Sequence, residues 1–153
     1  NRWNSPRYIL GESYGGIRGP LLVSELRSGD LTPIEINGLL MVAPASDYQY
    51  LVFHPGNNSP HYGFLPSYAA TAYYHNKVDT NKSLQEFYND SKDFSLNEYG
   101  PALLKGSRIK DNDKKILIDK YSKFTGLSKR FVEDFDMRID PSSFRKELLR
   151  DEG

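Results

Sequence analysis

Six residues near the start, Gly11-Glu12-Ser13-Tyr14-Gly15-Gly16, constrain this chain more than any others. Glycine reaches backbone conformations that a Cβ forbids, so glycines crowded around one serine mark a sharp turn. The segment before it, Arg7-Tyr8-Ile9-Leu10, reads as a short strand. The segment after it, Ile17 to Ser28, carries Leu21, Leu22, Val23 and Leu26 at near-helical spacing. Pro20 falls early in that helix, where a missing N–H is tolerated, and Gly29-Asp30 is expected to close it. Ile34 to Val42 then reads as a second strand, ending in an apolar run that suits a parallel strand covered on both faces. Strand, helix and strand in this order predict a βαβ unit with parallel neighbours.

Past Ala43-Pro44-Ala45 the pattern becomes helical. Pro55 to Pro60 predicts an open loop, and Leu65 to Asn76 a helix entered at Pro66. Leu84 to Leu104 reads as helical, interrupted near Ser95 and at Gly100-Pro101. Asp111 to Phe124 places Ile116, Leu117, Tyr121 and Phe124 on one side, with Gly126 as its C-cap. Ser128 is expected to cap a further short helix, and Asp140-Pro141 to open a last one running through Arg150. No strand is predicted after residue 66. The expected architecture is therefore α/β, with a βαβ segment over residues 1–50 and a mostly helical region over 51–153. A chain that opens almost on a strand and closes within a charged helix is expected to be cut from a longer protein at both ends.

Composition narrows the functions open to the chain. Its 153 residues suffice for one ordinary domain, and 20 basic against 20 acidic residues leave no net charge to draw it to nucleic acid or an anionic membrane. Apolar residues make up 38 %, so the core is expected to lean on its 13 % of aromatic residues and to be rich in tyrosine. There is no cysteine, which removes disulfides, thiolate metal sites and a cysteine nucleophile. No apolar run approaches the roughly 20 residues that span a bilayer.

Gly11-x-Ser13-x-Gly15 fits the G-x-S-x-G nucleophile elbow, in the strand-turn-helix context that the motif requires. There the serine sits on a strained turn with its hydroxyl clear of the sheet. Side chains two residues to either side are expected to collide with strand and helix. The following helix points its N-terminus at the site, and the Tyr14 N–H can stabilise an oxyanion. Ser13 is thus the expected nucleophile and Tyr14 a backbone oxyanion donor.

The longer string, Gly11 to Pro20, resembles the G-E-S-Y-A-G-x-Y-x-P signature of the serine carboxypeptidases, departing from it at Gly15, where the family has Ala, and at Arg18, often Tyr. Asn37 to Tyr48 is similar to the strand after the elbow helix in bacterial members. Leu65 to His75 and Asp140 to Asp151 are similar to that subgroup's cap region. The resemblance implies a partial α/β-hydrolase sheet followed by a helical cap, and removal of C-terminal residues from peptides through an acyl-enzyme on Ser13. It implies that Glu12 belongs to the hydrogen-bonded group receiving the substrate's free carboxylate. A carboxyl in that role must be protonated or share a proton, which favours acidic pH. The resemblance also implies no cofactor and an exported or vacuolar, lysosome-like location.

Hydroxyl attack needs a base, ordinarily a histidine oriented by an acid. In this fold the order along the chain is Ser, then Asp or Glu, then His. His54, His61 and His75 all come soon after the second strand, and each reads as a loop or surface residue. Asp47 reads as structural or as part of a substrate cleft. Tyr48, Tyr50, Tyr73 and Tyr74 read as core and rim, and Lys105 to Lys115 as a solvated loop and helix start. The histidine spacings make no tight metal-binding pair. The catalytic Asp and His, and the glycine-rich segment that supplies the family's other oxyanion donor, are expected outside this chain. The chain alone is then expected to be inactive and to need the remainder of its own polypeptide. An esterase or acyltransferase of the same fold, and a non-catalytic binding domain, are the alternatives.

Overall fold

Tyr8, Ile9 and Leu10 favour extended backbone, and in the computed structural model, which describes residues 2, 4–28 and 32–152, they begin β1, Tyr8–Glu12. The strand runs two residues beyond the expected end at Leu10, taking in Gly11 and Glu12. It pairs in parallel with β2, Gly38–Val42, in the register Tyr8↔Gly38 through Glu12↔Val42. The helix α1, Gly15–Ser28, makes the crossover. Its expected closing pair, Gly29-Asp30, lies outside the described residues. Because α1 starts at Gly15, Pro20 is its sixth residue and not part of its first turn. The missing N–H there removes the bond that the Gly16 carbonyl would accept in α geometry.

The expected second strand is shorter than Ile34 to Val42, since residues 34–37 are not in the sheet. Nor, among the described residues of its unit, is the sheet covered on both faces. Successive side chains alternate between faces. α1 lies on the Leu39 face, close enough that a Cβ on Gly19 would stand 3.0 Å from Leu39 Cδ1. On the other face Tyr8 is 63 % and Leu10 67 % exposed, and Leu40 and Val42 are also exposed. A single crossover helix covers a single face, which is why the apolar run did not imply burial.

The chain divides into two compact units, Asn1–Leu51 and Val52–Gly153. The first contains β1, α1, β2 and a 3-10 turn, Tyr48–Tyr50. The second is helical, with no strand among its described residues. Its first helix, α2, spans Ser59–Tyr74, with Pro60 in its first turn and Pro66 inside it. The helix therefore starts six residues before the expected Leu65, and Pro60, not Pro66, is the entry proline. An interior proline leaves the carbonyl four residues back without its partner. Here that carbonyl belongs to Tyr62, and the buried Ser95 hydroxyl donates to it. A side chain from another helix thus replaces the bond that Pro66 removes.

Ser95 also opens a π-helical turn, Ser95–Tyr99, between α3, Leu84–Phe94, and α4, Gly100–Lys105. The expected interruptions at Ser95 and Gly100 are thus changes of helix type along one continuous run. At the far end of the π turn the Gly100 N–H donates five residues back, to the Ser95 carbonyl. α5, Asp111–Thr125, ends at Gly126, whose φ of 71° is the left-handed cap expected of it. Ser128 caps α6, Lys129–Asp134, by accepting from Phe131 N, and Asp140 caps α7, Pro141–Leu148, by accepting from Ser142 N and Ser143 N. α7 stops at Leu148, short of the expected Arg150.

The core of this unit is centred on Leu65, Tyr99, Tyr121, Val132 and Ile139, each buried almost completely. Burial holds the Tyr68 and Tyr99 hydroxyls protonated far above their ordinary range. They donate to Ile139 O at 3.3 Å and Met137 O at 2.5 Å. These two tyrosines are accommodated in the core because their hydroxyls find backbone acceptors, whereas the buried Tyr121 hydroxyl has no partner among the described residues. Ile116 does not join the core as expected; Ile118 does. With Tyr121 central, a residue five positions back lies about 140° around the helix and faces solvent.

Candidate functional site

The site expected from sequence lies in the first unit, where β1 turns into α1. Ser13 follows the last strand residue and has φ 52°. This is the left-handed region, uncommon for a residue with a Cβ and frequent where a fold holds strain at a functional turn. Three backbone hydrogen bonds hold it there. The Ser13 N–H donates to Val42 O at 3.1 Å, extending the ladder by one residue. The Ser13 carbonyl accepts from Gly16 N at 2.9 Å and from Ala45 N at 2.7 Å. The turn is thus tied both to its own helix and to the corner that follows β2. Ala43 in that corner is also left-handed, with φ 41°.

The glycines do not contribute alike. A Cβ on Gly11 would stand 2.7 Å from the Gly15 carbonyl oxygen. One on Gly16 would stand 2.6 Å from Pro44 Cβ and 3.0 Å from Ala45 N. At Gly15 a Cβ would meet nothing within 4 Å. The expected collision two residues after the serine is therefore absent, because Gly15 opens the helix with its Cβ direction toward open space. The tight position is one residue later, at Gly16, and the doubled glycine was the only sequence signal for it.

Ser13 is exposed, and no described residue of its unit hydrogen-bonds its hydroxyl. Residues 1–51 contain no histidine. The Tyr14 N–H, next in the chain, donates to no described backbone acceptor, while its carbonyl accepts from Ile17 N at 3.0 Å and Arg18 N at 3.1 Å. That leaves one free donor beside the serine at the helix start. The Tyr14 ring is 6.0 Å from the Tyr48 ring, centroid to centroid. Glu12 ends β1 on the bare face shared with Tyr8 and Leu10. Its carboxyl is exposed and without a hydrogen-bond partner among the described residues.

The other sequence candidates have structural settings. Asp47 caps the 3-10 turn, its Oδ1 accepting from Gln49 N at 2.8 Å. Tyr48 and Tyr50 are exposed in that turn. Tyr73 donates to Lys82 O at 3.1 Å, and Tyr74 is exposed. His54 is exposed, with Nδ1 3.0 Å from Pro55 O. His75 is the half-buried C-cap of α2 and packs edge-on against Tyr74. Among the described residues no group of three or more His, Asp or Glu is placed to hold a metal ion. No described helix is long and apolar enough to cross a membrane.

His61 departs from the expected surface position. Because α2 begins at Ser59, His61 falls in its first turn and points into the core, only 6 % exposed. Its ring meets Phe53 edge-on at 5.1 Å, and its Nδ1 has no partner. Burial lowers its pKa from the ordinary 6.5, against the upward pull of a hydrogen bond to the Ile139 backbone; Arg138 lowers it further and Asp140 raises it. The fold accommodates the neutral ring, so below 6.5 the unfolded chain takes up a proton more readily. The stabilisation is complete above that pH and is lost as pH falls toward the depressed folded value. Urea midpoints of the helical unit are therefore expected to drop between about pH 7 and pH 5. His61→Leu is expected to flatten that slope, and an unchanged slope would refute the assignment.

No protein-family model matches the chain, and no curated protein or solved structure matches it either. The turn at Ser13 must be judged on its own geometry.

Proposed function

We propose that Ser13 is the nucleophile of a serine hydrolase of the carboxypeptidase type. The observation that carries this reading is a non-glycine residue at φ 52° between a strand and a helix, its hydroxyl exposed, beside the free Tyr14 N–H. That arrangement supports attack on a carbonyl carbon, with the backbone donor facing the oxygen that becomes charged. The base and the acid that orients it come from outside this chain, as does the second oxyanion donor. Glu12, adjacent to the nucleophile, receives the free carboxylate of the peptide substrate.

The intact protein is the material for the test. A fluorophosphonate probe is expected to label it, and Ser13→Ala to abolish labelling and to lower kcat on the order of 10⁴-fold or more. Labelling that survives Ser13→Ala removes Ser13 from the role, and the non-catalytic binding domain gains ground if the intact protein never labels. Glu12→Gln separates substrates: turnover of peptides with a free C-terminus is expected to fall far more than that of neutral esters. The unpartnered carboxyl of Glu12 favours the second reading, an esterase or acyltransferase, if both substrates respond alike.

A further inference from the structure

A wide concavity lies in the helical unit, far along the chain from Ser13. It is a groove of about 950 Å³ between α3 and α5, bordered by residues 77–82. That volume falls within the range of about 300–1,000 Å³ typical of small-molecule sites. Three phenylalanines form its inner lining. The Phe124 ring is half-buried and lies 5.4 Å from both Phe87 and Phe94, which are buried behind it.

The charged rim is unevenly satisfied. Lys82 pairs with Asp90, Lys120 Nζ stands 2.5 Å from Glu98 Oε2, and Lys77 Nζ stands 2.8 Å from Glu152 Oε1. These pairs neutralise most of the lysines around the groove. Asp79 and Asp93 remain without ion pair or hydrogen bond among the described residues, and so does Lys123 on the α5 side. Opposite charges thus stand unpaired on different walls of one groove, with an aromatic surface between them.

We propose that this groove binds a small aromatic zwitterion, an aromatic amino acid or its dipeptide. The ligand's ammonium faces Asp93 and Asp79, its carboxylate faces Lys123, and its ring packs on Phe124. A zwitterion matches the unpaired charges of both walls at once, whereas a purely anionic ligand would meet two carboxylates. The inference is independent of the role of Ser13.

Amide chemical shifts of the full chain, titrated with L-phenylalanine and with the dipeptide Phe-Phe, test it. Saturable shifts are expected at residues 77–82, 90–97 and 120–126. L-Alanine, lacking the ring, is expected to produce none of them. Lys123→Gln is expected to weaken the zwitterions by about three- to fivefold, the scale of one exposed ion pair, and to leave phenylalaninamide unaffected. Asp93→Asn is expected to do the converse, sparing N-acetyl-phenylalanine. Both side chains are exposed, so neither variant is expected to perturb the fold. No saturable shift at millimolar ligand would overturn the proposal. So would equal weakening of phenylalanine and phenylalaninamide by Lys123→Gln.

Discussion

Replacing Gly11 by Ala is expected to destabilise the first unit by about 2–3 kcal/mol, whereas Gly15→Ala, two residues beyond the serine in the same motif, is expected to be harmless. At Gly11 the new methyl would press on the backbone oxygen, carbon and Cα of Gly15, at 2.7, 2.9 and 3.1 Å. None of these can move without shifting the helix start away from the strand. At Gly16 the obstacle is the Pro44 ring, 2.6 Å away, and Gly16→Ala is expected to behave like Gly11→Ala. Gly15 has open space around it and occupies a helical position, so alanine is expected to be neutral there or to stabilise by up to ~1 kcal/mol. Hydrogen exchange at the Gly16 and Ala45 amides is the most direct measurement, because both donate to the Ser13 carbonyl. Gly11→Ala is expected to accelerate their exchange by roughly 30- to 160-fold, the equivalent of that free energy. Equal effects at Gly11, Gly15 and Gly16 would mean that the turn is not held in the way described. The result also bears on the chemistry, since a loosened turn no longer holds Ser13 at φ 52° with the Tyr14 N–H beside it.

In the helical unit the largest effect is expected at Gly126. Its φ of 71° disfavours a side chain, and a Cβ there would lie 2.6 Å from the Lys77 carbonyl oxygen and 2.9 Å from Lys77 Cβ. The left-handed conformation costs an L-residue roughly 1–2 kcal/mol, and overpacking a further 1–3. Gly126→Ala is accordingly expected to lower the unfolding free energy by about 2–5 kcal/mol, read from urea denaturation followed by circular dichroism. Gly126→Asn divides the causes. Asparagine tolerates the left-handed region, so it recovers the conformational part but not the contact with Lys77. If it restores wild-type stability, backbone conformation alone explains the glycine. If it is as damaging as alanine, the close approach of Lys77 dominates.

Features set by a few neighbouring residues were legible from the chain alone. Ser128 and Asp140 cap α6 and α7, and Gly126 ends α5, because capping involves only the next three or four residues. The sharp turn around Ser13 was legible for the same reason: a glycine cluster between an apolar strand and a helical pattern allows few backbone paths. Its residue-level mechanics were less so, because the clash at Gly16 comes from Pro44, across the sheet. Local pattern also misplaced the start of α2, since Pro60 and Pro66 look alike without knowing that Ser95 stands ready to satisfy Tyr62.

The parallel pair of strands, the helices beyond them and the placement of Ser13 on a tight bend follow from local preference and period, which act between residues close in the chain. Burial does not. That His61 is inside and Ile116 outside, that Tyr8 and Leu10 face solvent, and that Lys123 has no partner within its groove depend on which surfaces meet. Those meetings join residues distant in the chain, and the packing of whole elements decides them.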